Sequence, residues 1–177
     1  MNPPGLETQR MTLVAATLPM LCAELSRPDE FARLLGVEVA VPWPPPLNDE
    51  ASNRWMIRLL EENPDTAGWG MWYFLLRAGP GGGPLAIGNG GYKGKPSADG
   101  TVEIGYSIVE AYQRRGLATE GARALIDRAF RDPAVSRVIA ETFPDLTPSI
   151  RVLEKCGFVR TEGGSEPGVI RFEVRRP

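Results

Sequence analysis

The sequence predicts an α/β (α+β) domain built on a mixed sheet, and three features carry that expectation. Three apolar stretches, Trp69–Arg77, Leu85–Gly94 and Thr101–Val109, follow one another with short turns between them. Consecutive strands joined in this way run antiparallel. The strand from Val102 is then followed by helical periodicity over Arg115–Phe130 and an alternating stretch over Val135–Thr142. A strand–helix–strand unit of this kind makes its two strands parallel, so the sheet is mixed. The third feature is bulk: 177 residues, 42% hydrophobic and 24% charged, fit one domain over residues 1–177 with a sizeable core.

The elements follow in order. Gln9–Ala16 is apolar with β-branched content and reads as a strand. A helical region over Leu18–Leu35 is split by Pro28, with Ser26 placed to cap the second part. Four prolines around Trp43, in Pro42–Pro46, force an extended, non-regular segment. Asp49 caps a helix over Glu50–Glu62, whose apolar face includes Trp55, Ile57, Leu59 and Leu60. After the three central strands and the parallel unit, Thr147–Cys156 reads as a short helix. Thr147 is placed to cap it, Pro148 occupies the first position and Gly157 stops it. The segments Phe158–Glu162 and Gly168–Arg176 read as a final hairpin.

Composition removes several kinds of chemistry. There is no histidine, which excludes Ser-His-Asp and Cys-His catalysis, histidine metal ligands and a histidine base. Cys22 and Cys156 form no CxxC pair and suggest no disulfide framework, and no metal site is expected. A net charge of −2 gives no general pull toward nucleic acid or an anionic membrane, so an anionic ligand needs a local site. No long apolar run and no signal-peptide pattern in the opening residues point to a soluble, cytoplasmic protein, monomer or homodimer, with neither nucleic acid nor membrane as partner.

The richest stretch is Glu103–Phe130. A strand ends near Val109, a loop Glu110–Arg115 follows, and a helix opens around Gly116–Thr119. Gly116 and Ala118 keep the first turn bare, so its free N–H groups can approach an anion, favoured by the helix dipole and by Arg114 and Arg115. Three readings fit. Glycine and alanine can simply allow close helix–sheet packing. Gly116-x-Ala118-x-x-Gly121 can be a dinucleotide fingerprint with Glu141 on a ribose, although that motif should follow directly on an apolar strand. The turn can also hold the pyrophosphate of coenzyme A.

Glu103–Ile126 resembles the acetyl-CoA-binding motif of the GNAT superfamily of N-acetyltransferases, with its Q/R-x-x-G-x-G/A signature at Gln113–Ala118. Glu141–Phe158 is similar to the ending of the ribosomal-protein N-terminal (Rim-type) acetyltransferase branch, E-T-x-P-x-N-x-x-S-x-x-V-L-E-K-x-G-F. The resemblance spans residues 8–175. It implies a sheet of six to seven strands that splays at 102–109 against 135–142, with acetyl-CoA entering the cleft. By the same resemblance, the backbone of Ile108 and Val109 pairs with pantetheine. The turn of Arg114, Arg115, Gly116, Leu117, Ala118 and Thr119 takes the pyrophosphate, with Gln113 and Arg115 flanking it. The resemblance implies no metal.

Two departures matter. Leu146 stands where the branch has asparagine, and Leu153, a residue common in this branch, stands where many GNAT enzymes carry a tyrosine that serves the departing thiolate. Ser149 matches the branch serine whose hydroxyl serves that thiolate; it can equally satisfy its own helix turn. Amine acetylation needs a base, and without histidine a carboxylate must serve, through water or directly. Glu103, the E of the branch's EIGY, is the first candidate and Glu141 the second, although Glu103 also fits a plain surface charge. Cys156 reads as a small apolar filler. Tyr92, Tyr106 and Tyr112 read as core or rim residues.

Three functional readings result. The first is an enzyme acetylating a primary amine on a peptide N-terminus or a small molecule. The second is an acyl-CoA-binding module without catalysis. The third is an interaction protein presenting Pro42–Pro46 to an aromatic groove, which requires that segment to be exposed; the enzyme reading instead places Trp43 against the acceptor cleft. A cationic polyamine acceptor would favour an acidic cleft, for which Glu24, Asp29, Glu30, Asp49 and Glu50 are candidates.

Overall fold

The alternation of Met11, Leu13 and Ala15 with the half-buried Thr12 and Val14 makes β2 (Met11–Ala15); the first three are buried in one core and Val14 packs against the other. In the computed structural model, residues 5–177 are described; the first four residues, where the segment without a signal-peptide pattern begins, lie outside them. Before β2 stands the short β1 (Gly5–Glu7). After it come α1 (Leu18–Ser26) and α2 (Pro28–Leu35), the two-residue β3 (Glu38–Val39), and α3 (Glu50–Glu62). The central strands are β4 (Met71–Leu76), β5 (Leu85–Tyr92) and β6 (Thr101–Ile108). They are followed by α4 (Leu117–Arg131), β7 (Arg137–Thr142), α5 (Thr147–Lys155), β8 (Val159–Thr161) and β9 (Ile170–Arg175).

Among the described residues these form one sheet of nine strands in the order β1-β2-β4-β5-β6-β7-β9-β8, with β3 on β5. The sheet is mixed: β4, β5 and β6 are antiparallel neighbours, while β6 and β7 run parallel. The expected six to seven strands undercount it because β1 and β3 are too short to leave a period in the sequence. β3 pairs with Leu85 and Ala86 and β6 with Gly88–Tyr92, so β3 occupies the lane beside β5 that β6 vacates past Ile108.

The two faces of the sheet carry different cores. Met20, Leu21, Ala23 and Phe31 of the first two helices and Met56 of α3 pack with Met71, Tyr73 and Leu75. On the opposite face Leu117, Leu125, Ile126 and Ala129 of α4 and Leu153 of α5 pack with Trp72, Phe74, Ile104 and Ile108. Arg128 of α4 lies in an aromatic box, 4.5 Å from the Trp69 ring centroid and 5.1 Å from that of Tyr92.

Two expected caps are not used. Ser26 ends α1, and α2 begins after Arg27 with no side-chain cap. Thr147 lies inside α5, whose cap position is Leu146. In both cases proline at the start fixes the first turn without a capping oxygen. Asp49 does cap α3, accepting the Ser52 N–H at 2.8 Å. The Pro42–Pro46 stretch is non-regular as expected, yet Trp43 is half-buried against Phe31 and Tyr73.

Gly121 is a packing glycine. A Cβ there would lie 2.5 Å from the ring of Phe74, which is fully buried and cannot give way. Helix propensity alone favours replacing this glycine. Gly121→Val is nonetheless expected to lower stability by about 1–3 kcal/mol through overpacking, read as a fall of several degrees in melting temperature. A melting temperature equal to or above that of the native protein would contradict this packing.

Candidate functional site

The register of β6 defines a cleft. β6 pairs with β7 only through Thr101, Val102 and Glu103, opposite Arg137, Val138 and Ile139. Both strands continue, β6 to Ile108 and β7 to Thr142, without further pairing. The sheet therefore parts after Glu103, at the strand where the splay is expected.

Antiparallel pairing fixes which backbone groups face the opening. The Lys93 N–H donates to the Glu103 carbonyl and the Val109 N–H to the Ile87 carbonyl. With the intervening register, Glu103, Gly105, Ser107 and Val109 direct their backbone groups toward β5. The Ile104 N–H still closes the ladder to β7, since the Glu103–Ile139 pairing is bonded through it, and the Tyr106 and Ile108 N–H groups face the cleft. Of the two residues expected to pair with pantetheine, Ile108 has its N–H toward the cleft, whereas the Val109 N–H is held by the Ile87 carbonyl. Tyr106 is a cleft-lining backbone position that only the strand register identifies.

At the mouth of the cleft is the turn into α4. Arg114 and Gly116 both adopt left-handed backbone, at φ 61° and 76°. Such compound turns converge N–H groups on an anion-binding concavity. Among the described residues, no hydrogen bond engages the backbone N–H of any residue from Arg114 to Thr119. Six consecutive free amides, three of them in the first turn of a 15-residue helix, form an anion cradle. Leu117 is buried in the core and Ala118 packs against it, so both contribute backbone only. Arg115 donates to the Ala111 carbonyl at 2.8 Å and stacks over Tyr112, and Gln113 donates to the Ile108 carbonyl at 2.9 Å. These two side chains shape the loop instead of flanking the cradle.

Arg10, from the residue before β2, is a basic group the sequence did not single out. It donates to the Arg115 carbonyl and pairs with Glu120 at 2.8 Å, and a Cβ on Gly116 would lie 3.4 Å from its Nη2. A groove of about 680 Å³ runs from Gly116 and Thr119 along α4, with Arg10, Arg123, Arg131 and Lys155 on its walls.

The catalytic candidates fall in different places. Glu103 sits at the vertex of the opening and forms an ion pair with Lys93. Its side chain lies on the same face of β6 as Gly105 and Ser107, and beside Gly105 that face is open space. Ser107 donates to the Pro46 carbonyl, which places the proline-rich segment on this face too. Ser149 stands in the first turn of α5, on the other face, where the Tyr106 hydroxyl donates to its carbonyl at 3.2 Å and lies 3.4 Å from its Oγ. Burial pushes the Tyr106 phenol up to about 12, so it stays a donor at neutral pH.

Glu141 is engaged by neighbouring side chains. It is held by Arg171 at 2.7 Å and by the Ser165 N–H and hydroxyl. Burial raises its carboxyl, but these bonds outweigh burial and hold it below the usual range. Cys156 is a filler as expected: burial pushes its thiol up to about 11.

On the acceptor face a second group converges. Glu24 of α1 accepts from Trp43 Nε1 at 2.8 Å, Asn53 Nδ2 at 2.7 Å and the Tyr73 hydroxyl at 2.6 Å. Burial raises its carboxyl despite these bonds. Glu24 appears in the sequence reading only as one of five scattered acids.

Residues 10–159 match the family model of the acetyltransferase (GNAT) domain. An uncharacterized N-acetyltransferase of Bacillus subtilis, YjdG, is 29% identical over 161 residues, 91% of this chain and 93% of that protein. The structure of an acetyltransferase from Agrobacterium tumefaciens superposes with a TM-score of 0.66 at 22% identity, over 99% of this chain and 96% of that one. RimL, a ribosomal L7/L12 α-N-protein acetyltransferase in complex with coenzyme A, superposes with a TM-score of 0.64 at 16% identity, over 97% and 98% of the two chains. At these identities the two structures show a shared fold.

Gly116→Glu tests the cradle. It puts a carboxylate where the free amides converge, on a left-handed residue that costs a side chain about 1–2 kcal/mol. In the folded variant, calorimetry is expected to find coenzyme A binding weakened by at least about tenfold. Unchanged affinity would remove this turn from the binding site.

Proposed function

The chain belongs to the GNAT acetyltransferase family, and from that premise we propose that it transfers the acetyl group of acetyl-CoA to a primary amine by direct attack, without a covalent enzyme intermediate. The observation that carries this reading is the run of six free amides from Arg114 to Thr119 at the mouth of the parted strands. The cradle suits a pyrophosphate without needing net positive charge, and the groove walled by Arg10, Arg123 and Lys155 suits the nucleotide end. The acceptor is an amine on a peptide N-terminus or a small molecule, met in the cytoplasm. Among the described residues no helix is long and apolar enough to cross a membrane.

Acetyl-CoA supplies an acyl group activated as a thioester. The rest falls to the protein. The backbone N–H groups of Tyr106 and Ile108 face the cleft, and one of them meets the carbonyl oxygen as negative charge builds on it. The amine enters over Gly105, where the face is open. Glu103, beside it, takes the proton that the ammonium must lose before nitrogen can attack carbon. As the new C–N bond forms and the C–S bond breaks, the sulfur leaves as thiolate. Ser149 stands on the far wall to donate a hydrogen bond to it. The Tyr106 hydroxyl donates to the Ser149 carbonyl and lies 3.4 Å from its Oγ, which holds the Ser149 hydroxyl on that wall. This pair supplies hydroxyls that Leu153, fully buried in the core, cannot. It favours an active enzyme over a binding module without catalysis.

Glu103→Gln is expected to lower turnover more than it lowers coenzyme A affinity, since a base acts on the chemical step. The loss should be larger at pH 6 than at pH 9, where more of the amine enters already neutral. Thiol release measured across this range with a panel of amines and N-terminal peptides checks it. Full turnover at both pH values would remove Glu103 as base, and absence of release with every amine would overturn acetyl transfer.

Ser149→Ala is expected to cost tenfold to a hundredfold in turnover, the worth of a hydrogen bond of about 1–3 kcal/mol to the leaving sulfur. The helix should survive, because Pro148 still fixes its first turn. Melting temperature and turnover are read on the same sample. Lower stability with unchanged turnover per folded molecule would make Ser149 a structural residue.

A further inference from the structure

On the acceptor face, a cavity of about 190 Å³ is lined by Glu24, Leu25, Pro44, Asp49, Glu50 and Asn53. It is of the order of the engineered cavities, about 150 Å³, that take up a benzene-sized ligand. Two observations give it a chemistry. The first is an uncompensated charge. All three partners of Glu24 are neutral donors, and among the described residues no basic side chain pairs with Glu24 or Asp49. Glu50, by contrast, is neutralised by Arg54 at 2.7 Å. A largely buried carboxylate without a cation is costly unless a ligand supplies one. The second observation is Asn53. It is only 3% exposed, it lines the cavity, and its Oδ1 has no hydrogen-bond partner while its Nδ2 is spent on Glu24. An orphaned acceptor in such a place calls for a donor.

The acceptors match one ligand group. A carboxylate oxygen accepts two hydrogen bonds; Glu24 Oε2 already has two, from Asn53 and Tyr73, and Oε1 has one, from Trp43. The lining of the cavity thus includes Glu24, whose Oε1 has one accepting site left, the Asp49 carboxylate and Asn53, whose buried Oδ1 is without a partner. An ammonium carries three N–H donors and no acceptor.

The position says which ammonium. Tyr73, Asn89 and Ser107 lie in one row across β4, β5 and β6. Glu24 rests on Tyr73, so the cavity is about two strand spacings, roughly 10 Å, from the splayed strand. It is on the correct face but too far away for the reacting nitrogen. We propose that this cavity seats a second ammonium group of the acceptor, and that the acceptor is an aliphatic polyamine. The proposal rests on the acetyl-transfer reading for its substrate role but not for binding itself.

Spermidine is the probe. Calorimetry on the full chain is expected to find it bound, and bound at least about tenfold more weakly after Glu24→Gln. Asp49→Asn is the second variant, because asparagine caps a helix as well as aspartate does and removes only the charge. It should weaken spermidine similarly while α3 and the melting temperature are kept. No binding by the native protein at millimolar spermidine, or equal binding by native protein and both variants, would overturn the proposal. Variant-sensitive binding with no thiol release from any amine would overturn the acetyl-transfer reading and the polyamine's role as substrate, leaving the ammonium site in place.

Discussion

Past Glu103, β6 keeps its bonds to β5 and loses those to β7, and the cleft exists because of that asymmetry. In a closed sheet the amides of Tyr106 and Ile108 would be consumed by the neighbouring strand. Here they remain as fixed dipoles along one wall, held in place by the intact ladder behind them. The alternation of a strand then divides the labour. Side chains on one face, Ile104 and Ile108, anchor the strand in the core beneath α4. Those on the other, Glu103, Gly105 and Ser107, face the space framed by the first helices and the proline-rich segment. The same parting leads the chain out of β6 and into the turn whose amides stay free.

The order of elements was legible because each has a local cause. Asp49 caps, Pro28 and Pro148 start helices, Gly157 stops one, and helical periodicity over α4 separates it from the strands around it. The turn at Arg114–Thr119 was legible as well, since a bare helix start following a basic loop is a local pattern. Less visible was everything decided by pairing. That Val109 spends its N–H on Ile87 while Tyr106 faces the cleft depends on the register between β5 and β6, and a strand read alone has no register. Gln113 and Arg115 have the composition of phosphate ligands, yet each reaches a nearby carbonyl first. The bonds of Glu141, the second candidate, to Arg171 and Ser165 lie far along the chain and leave no local trace. Gly121 completes a fingerprint on paper and serves packing against Phe74 in space.

The charge balance explains how a chain of net charge −2 can handle both an anionic and a cationic ligand. On the anion side the positive potential comes mainly from backbone N–H groups and a helix terminus, which add nothing to formal charge, with Arg10 beside them partly neutralised by Glu120. On the opposite side the negative potential comes from Glu24, sheltered behind Trp43 and Tyr73 where solvent screens it poorly. The two potentials lie on opposite sides of one strand system. With the proposed cationic acceptor, each potential attracts its own ligand and repels the other's. The segment Pro42–Pro46 fits this arrangement as a wall rather than as bait for an aromatic groove. Its tryptophan is turned inward onto Phe31 and Tyr73, its indole N–H is spent on Glu24, and its last carbonyl is fastened to Ser107. A rigid, proline-rich wall loses little entropy on closing around a ligand. That is what a site needs if it is to hold two nitrogens of one flexible molecule at a fixed separation.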